Sequence, residues 1–156
     1  MNHGVPSSIR VCVKGAVVRD GSILLVEYDD ASGLHFNLPG GVVELGESLH
    51  EAMRQEALEE TAAEVEVGRL LMLREYEPAR ANERWGPVQK LTIVFECLLV
   101  EGSEPRMPER PDPHQTAVRW IPLDELAGVP LLPLEQATDL IPALNGDATA
   151  PLYLDR

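Results

Sequence analysis

The run from Gly40 to Glu60 constrains this chain more than any other part of its sequence. It begins with two adjacent glycines, and a third, Gly46, follows shortly after them. Glycines allow a tight loop to approach a ligand without obstruction by side chains. Ser48 and Glu51 then match a capping box, which predicts that a helix begins near Ser48. The chain must therefore place a glycine turn beside the start of a helix.

The predicted helix carries acids on the face that its apolar residues define. At about 100° per residue, Glu56 and Glu60 fall in the middle of this face and Glu59 lies at its edge. Acids that are poorly solvated repel one another, and a divalent cation removes this conflict, because magnesium and manganese prefer clustered oxygen ligands. The alternative is an ordinary amphipathic helix whose glutamates lie in water.

The spacing of these residues resembles the signature of the Nudix hydrolase family, G-x5-E-x7-R-E-U-x-E-E-x-G-U, in which U is a bulky apolar residue. Gly41 opens the pattern and Glu47 follows at the right distance. The three downstream acids are Glu56, Glu59 and Glu60. With several acids at fixed positions in a box of this length, a chance match is not expected.

Three positions depart from the family's pattern. Gln55 stands where the family has arginine, Ala62 replaces a glycine, and Ala63 is small for an apolar site. Glutamine keeps two hydrogen-bond donors but lacks the charge, so we expect weaker orientation of Glu47 or its neighbours without loss of a metal ligand. A left-handed residue is usual where a helix ends, so Ala62 predicts a helix that continues for one or two residues or ends differently.

The chain of 156 residues is long enough for one domain with a substantial core. We expect a single domain over residues 1–156, in which residues 1–8 and the C-terminal tail are peripheral. Strand patterns bracket helical ones without strict alternation, which predicts an α/β fold with a mixed sheet and helices on both faces. The longest predicted strand covers 88–100, and a second helix is predicted over 134–144. The Nudix α/β/α sandwich that the resemblance implies has the same arrangement.

The net charge of −13 argues against nucleic acid and against anionic membranes as partners, since both require a basic surface. Cys12 and Cys97 lie in apolar runs, not in a metal-spaced motif, and are predicted to be reduced core residues. No apolar run reaches the roughly 18 residues that a membrane helix needs, and the N-terminus lacks the apolar core of a signal peptide. We therefore expect a cytoplasmic protein.

The resemblance implies a hydrolase that cleaves a nucleoside diphosphate linked to another moiety, with Mg²⁺ or Mn²⁺ as its cofactor. It implies Glu56 and Glu60 as metal ligands, Glu59 as a further ligand, and the backbone carbonyl of Gly40 as an additional one. Catalytic roles fall on Glu56 and Glu59. The residues with a structural role in the box are Gly41, Glu47 and Gln55. A homodimer is compatible with the resemblance, because many relatives dimerise.

The general base stays open between the helix and a loop. In the family it is a glutamate of the box or a glutamate on a loop before the last strand. The corresponding loop here, 112–116, has no glutamate but contains Asp112 and His114. We favour Glu56. Glu96, within the predicted strand 88–100, faces either the site or water.

Five basic residues are candidates for contacts with a substrate. Lys14 interrupts the apolar run 11–18, and four others surround the loop 78–86: Arg74, Arg80, Arg84 and Lys90. The alternative for each is an ordinary solvated charge. Tyr76 and Trp85 in the same region can stack on a base.

The sequence leaves two alternative classes of function. A Nudix-fold module that senses a nucleotide with little turnover is compatible with Gln55 and Ala62, but a degenerate site is expected to lose its acids first. An acidic protein-interaction domain leaves the acids on the apolar helix face unexplained.

Overall fold

The computed structural model describes residues 8–133 and 136–155. Of the segment 1–8, which was predicted to be peripheral, only Ser8 lies within the described residues. The secondary structure comprises β1 (Arg10–Arg19), β2 (Ser22–Asp30), β3 (Gly33–Asn37), β4 (Gly40–Val42), α1 (Leu49–Thr61), β5 (Val65–Tyr76), β6 (Lys90–Leu99), β7 (Gln115–Pro122), a 3₁₀ helix (Leu123–Gly128), α2 (Gln136–Leu144) and β8 (Tyr153–Asp155).

The strands form one mixed sheet in the order β3-β2-β1-β6-β5-β8, with β4 paired to β1 and β7 paired to β2. β1 runs parallel to β6, and β5 runs parallel to β8. One edge of β1 is divided between two partners: residues 12–14 pair with β4, and residues 18–19 pair with β2. The glycine turn is therefore held against the middle of the sheet as the short strand β4.

Helices cover both faces of this sheet, each over its own apolar cluster. On one face α1 buries Ala52, Met53 and Ala57 against β1 and β6. The approach is close, because a Cβ atom added at Gly15 of β1 would lie 2.8 Å from Cε of Met53. On the other face α2 and the 3₁₀ helix bury Leu140 and Leu126. The predicted α/β fold, an α/β/α sandwich with a mixed central sheet, is confirmed.

The start of α1 follows the capping box, but its end differs from expectation. Ser48 caps the helix, and its side chain and that of Glu51 bond reciprocally to backbone N–H groups. The helix ends at Thr61, and Ala62 takes the left-handed conformation (φ 56°) and donates its N–H to the carbonyl of Leu58. Both predicted alternatives, a longer helix and a different ending, are therefore wrong, because Ala62 adopts the conformation for which glycine is usual.

Other differences lie at strand ends. β5, with 12 residues, is longer than β6, with 10, because the segment predicted over 88–100 becomes a strand only at Lys90. The tail packs back as β8, which pairs with β5 and buries Leu154. Within the described part of the chain, no helix has the length and apolarity that crossing a membrane requires.

Candidate active site

The acids of α1 differ in burial in the order that helical periodicity predicts. Glu60 is buried, with 4% of its surface exposed, and Glu56 is half-buried. Glu59 is exposed and accepts a hydrogen bond of 2.9 Å from the side-chain amide of Gln55, one turn earlier. Two carboxylates of the box therefore face the interior, whereas the third faces outward.

The glycine turn closes directly over these two carboxylates. A Cβ atom added at Gly41 would lie 2.6 Å from the carboxyl carbon of Glu56, so this position has no room for a side chain. The N–H of Gly40 donates to Oε1 of Glu60 over 2.9 Å. The two glycines thus bring the backbone close to the buried acids, with the Gly40 N–H bonded to Glu60.

The second carboxylate oxygen of Glu60 meets a tyrosine that the sequence analysis did not single out. The hydroxyl of Tyr28, near the end of β2, lies 3.1 Å from Oε2 of Glu60 and 3.1 Å from Oδ2 of Asp112. A hydroxyl has one proton, so Tyr28 donates to one of these carboxylates at a time. Asp112 is in this way placed beside the acids of α1.

The loop that carries Asp112 is fastened to the end of α1. The side-chain amide of Gln115 donates to the carbonyl of Glu60 over 2.9 Å, and the N–H of Arg106 donates to the carbonyl of Thr61 over 2.8 Å. His114 also lies on this loop, but it is exposed. Of the two residues proposed for a loop base, the structure places Asp112 against the box acids.

Burial and mutual repulsion make these acids hard to ionise without a cation. Burial raises the pKa of Glu60 to about 7, and the negative charges of Asp112 and Glu56 contribute, against the opposing effects of Lys14 and the Gly40 N–H. Burial, followed by the charge of Glu59, also raises the pKa of Glu56. Burial beside the Glu60 and Asp112 carboxylates raises the pKa of the Tyr28 hydroxyl. A bound divalent cation would reverse this balance.

The donors fit a divalent cation in kind, because buried carboxylate oxygens are the ligands that magnesium and manganese prefer. In the side-chain positions of residues 8–133 and 136–155, no three acids, histidines or cysteines converge closely enough to hold an ion. Glu59 is turned toward Gln55, and both oxygens of Glu60 have hydrogen-bond donors beside them. Binding an ion therefore requires rotation of at least one of these side chains.

A cavity of about 370 Å³ opens beside the glycine turn, on the face of the sheet opposite α1. Gly41 lines this cavity and also lies against the carboxyl group of Glu56, so the cavity and the acids are adjacent. Arg80 does not line this cavity, but the other four basic residues proposed as substrate contacts do, together with two aromatic residues: Lys14, Arg74, Arg84, Lys90, Tyr76 and Trp85. The structure thus brings together charges that are far apart in the sequence.

These basic residues have different surroundings. Arg74 is buried and forms an ion pair of 3.2 Å with Asp139 of α2, so its charge is matched at the cavity floor. Lys14 donates to the carbonyl of Leu38 over 3.3 Å, and its charge opposes the rise in the pKa of Glu60. Arg84 lies over the ring of Trp85, with 5.5 Å between the guanidinium carbon and the ring centroid.

Other proposed residues lie away from the acids. Glu96 pairs with Arg69 over 2.8 Å, and Arg69 also donates to the last carbonyls of α2, so Glu96 faces α2 and not the box. Glu47 accepts a hydrogen bond from the N–H of Glu44 over 2.9 Å, within the loop before α1. Gln55 donates to Glu59, another glutamate of the box, and not to Glu47.

Comparison with known proteins places this architecture in a family. The model of the NUDIX domain matches residues 10–143. The chain belongs to the NUDIX family. A MutT-like protein of Streptomyces ambofaciens is 36% identical to this NUDIX chain over 118 residues, which are 75% of the chain and 66% of the relative. The matched part thus spans just under two thirds of that relative.

Solved structures agree with this assignment. A MutT NUDIX hydrolase from Burkholderia pseudomallei superposes with a TM-score of 0.61 at 29% identity, covering 76% of this NUDIX chain and 86% of the other. A UDP-X diphosphatase superposes with a TM-score of 0.71 at 25% identity, covering 97% of this chain and 70% of the other. The resemblance that the box residues suggested is therefore confirmed.

Proposed function

We propose that the chain is a metal-dependent pyrophosphohydrolase, which cleaves a nucleoside diphosphate linked to another moiety. One observation carries the proposal: two carboxylates, Glu56 and Glu60, lie under a glycine turn that also borders a basic cavity. Buried acids beside a basic cavity are suited to an anionic substrate only if cations bridge the two. The relative with 25% identity, named as a UDP-X diphosphatase, supports a substrate of this class.

Glu56 and Glu60 would hold Mg²⁺ or Mn²⁺, with Glu59 and the carbonyl of Gly40 as further ligands. When bound, the cation neutralises charge on the pyrophosphate and makes bound water more acidic. Glu56 is the proposed general base, since its raised pKa suits it to accept a proton from water. Asp112 is the alternative, because it lies at the same tyrosine hydroxyl as Glu60.

The basic cavity would receive the part of the substrate on one side of the cleaved bond. Lys14 lies between the cavity and the acids, where it can contact the pyrophosphate. Tyr76 and Trp85 offer aromatic surface for a base or another planar group. A cytoplasmic location, predicted from the sequence, is part of the same proposal.

The test is release of product from a panel of nucleoside diphosphate derivatives with magnesium or manganese. We expect steady turnover that stops in excess chelator and falls by orders of magnitude in Glu60→Gln. The control is Glu66→Gln, which neutralises an exposed glutamate on β5 outside the box. Binding of the same compounds without turnover would instead favour the nucleotide-sensing module. Turnover that persists in chelator would contradict the metal assignment.

A further inference from the structure

The two aromatic side chains that line the basic cavity differ in how much surface they expose. Tyr76, the last residue of β5, is buried, with 6% of its surface exposed. Trp85, on the loop 78–86, is 37% exposed. Both residues border the same space. The indole ring therefore offers a molecule in the cavity more surface for stacking than the phenol ring does.

The hydroxyl of Tyr76 holds the loop that carries the indole. It donates to the carbonyl of Gly86 over 2.6 Å and accepts from the N–H of Trp85 over 3.1 Å. The single proton of the hydroxyl and one of its lone pairs are thereby used within the protein. These two bonds fasten the backbone on either side of the Trp85 side chain, and so fix the point from which the indole projects.

The loop 78–86 has a backbone that local preferences do not favour. Asn82 and Glu83 are consecutive left-handed residues, each with a φ of 52°, although neither is glycine. This conformation is unfavourable for residues with a Cβ atom and persists only where surrounding contacts determine it. The carboxylate of Glu77 accepts from two N–H groups at the start of the loop, and the Tyr76 hydroxyl holds its end. The position of the loop therefore depends on these contacts.

Arg84 contributes to the same arrangement from within the protein. Its guanidinium carbon lies 5.5 Å from the centroid of the Trp85 ring, which is within the range of a cation–π contact. A cation over one face of the indole leaves the other face for a ligand. Arg84 and Tyr76 therefore constrain the same side chain, one through its ring and the other through its backbone.

The distance from the glycine turn to the held loop leaves room for a nucleoside. On β1, the register partner of Gly41 lies three residues after the register partner of Lys90. Tyr76 pairs with Lys90 on the other side of β6. At about 3.3 Å per residue, Tyr76 therefore lies about 10 Å from Gly41 along the strand direction. A diphosphate at the glycine turn would reach Trp85 with the sugar and base attached to it.

We propose that Tyr76 is a positioning residue that acts through Trp85: its hydroxyl fixes the indole as the surface on which the base of the substrate stacks. The inference rests on the proposed function and narrows its substrate class to derivatives whose base lies on the cavity side of the cleaved bond. Stacking on an aromatic side chain tolerates any base, because every base has a π-face. The indole thus recognises the presence of a base, and the choice among bases falls to other residues.

The test uses probes that bind without cleavage: the α,β-methylene diphosphates of adenosine, guanosine, uridine and cytidine, and methylenediphosphonate, which lacks a base. With the full chain and magnesium, we expect at least one nucleoside probe to bind more tightly than methylenediphosphonate and to quench tryptophan fluorescence. Trp85→Leu should weaken binding of that probe by about 5-fold to 150-fold and abolish the quenching. Tyr76→Phe, which keeps the ring, should weaken it by about fivefold or more. Affinity for methylenediphosphonate should be unchanged in both variants.

Tyr153→Phe is the matched control, because the Tyr153 hydroxyl bonds to Glu75 at the exposed edge of the sheet, outside this cavity. It should bind every probe like the unaltered protein. Trp85→Phe keeps an aromatic ring and should retain part of the affinity that Trp85→Leu loses. In turnover, Tyr76→Phe should raise KM for derivatives with a base on this side and leave kcat unchanged, as expected for lost uniform binding.

The outcomes separate this inference from the proposed function. Neither binding of a nucleoside probe nor turnover of any nucleoside diphosphate derivative would overturn both. Quenched binding that is lost in Tyr76→Phe, without turnover of any derivative, would support the stacking surface and overturn the hydrolase function. Turnover by a protein whose preference for nucleoside probes survives Trp85→Leu or Tyr76→Phe would overturn the inference alone. Equal loss of affinity for methylenediphosphonate in Tyr76→Phe would also overturn it, because the hydroxyl would then act on the fold and not on the base.

Discussion

The hydroxyl of Tyr28 is a single group on which the orientation of two carboxylates depends. Groups that donate hydrogen bonds to metal-holding carboxylates fix their direction, and their loss typically costs 10–100-fold in metal affinity. We therefore expect Tyr28→Phe to weaken Mn²⁺ binding to the metal-free protein by about 10–100-fold. Calorimetric titration with Mn²⁺ measures this without recourse to turnover.

Tyr153→Phe is the matched control for that titration. Its hydroxyl also bonds to a carboxylate, that of Glu75, but on the exposed edge of the sheet at β8. This variant should bind Mn²⁺ like the unaltered protein. Equal Mn²⁺ affinity in Tyr28→Phe and Tyr153→Phe would show that the Gly40 N–H alone is sufficient to orient Glu60.

The Glu60 carboxyl makes the stability of the metal-free protein depend on pH. Its pKa is about 7 in the folded protein, against an ordinary value of 4.5, so the folded state holds the proton more strongly. This contribution to stability is fully present below the lower value and is lost as the pH rises through the higher one. In chelator, the unfolding midpoint should therefore fall between about pH 5 and about pH 8 relative to that of Glu60→Gln.

Thermal unfolding of the two proteins over this pH range measures the effect, with Glu66→Gln as a control that should follow the unaltered protein. The Glu60→Gln variant has no carboxyl to titrate at this position, so its unfolding midpoint lacks this pH dependence. If the three proteins instead keep constant differences in midpoint across the range, Glu60 is ionised in the metal-free fold at low pH.

At the scale of single elements, the end of α1 carries a conformational cost. Ala62 is left-handed, and its Cβ makes this conformation unfavourable by about 1–2 kcal/mol relative to glycine. We expect Ala62→Gly to stabilise the fold by about 1 kcal/mol, as measured by chemical denaturation, because the gain is offset by the greater freedom of glycine in the unfolded chain. A loss of stability would show that the Ala62 methyl contributes more through packing.

Ala127→Gly provides the contrast. Ala127 is exposed in the 3₁₀ helix and is absent from the residues with positive φ. Glycine should be neutral or destabilising there, by up to about 1 kcal/mol. The opposite signs of the two substitutions would isolate the effect of the left-handed conformation.

Two elements carry candidates for the general base, α1 and the loop that precedes β7. At saturating metal we expect Glu56→Gln to lower kcat by about 10²–10⁴, and Asp112→Asn and His114→Ala to have milder effects. Steady-state rates should be measured together with Mn²⁺ affinity, because Glu56→Gln also removes a proposed ligand. A drop of about 100-fold from Asp112→Asn, with metal affinity intact, would move the base to the loop.

At the scale of the whole molecule, the sequence predicts what local periodicity and spacing determine. The capping box at Ser48 and the burial order of the box acids both follow from residues within a few turns of one another. Contacts between distant segments are not predicted by such local patterns. Tyr28 meets Glu60 across 32 residues, and Arg74 meets Asp139 across 65, and no local pattern marks either pair.

The net charge of the sequence does not predict the local charge of the cavity. A net charge of −13 argues against anionic macromolecules, but it hides a basic cavity that forms only when β1, β5, β6 and the loop 78–86 come together. Folding thus separates the two signs of charge into neighbouring sites. The acids lie under the glycine turn and the bases lie across the sheet from α1.

The cavity wall is formed by strands of the sheet and by a loop. Its floor is formed by β1, β5 and β6. Because β1 also holds the glycine turn over the acids, a change in the floor would move the acid site. Its rim belongs to the loop 78–86, which is attached at one end through Tyr76 and bears no part of the acid site. Insertions or exchanges in this loop would therefore change the lining of the cavity and leave the acid site in place. Under the proposed function, the loop is the first segment to replace in redesigning substrate choice.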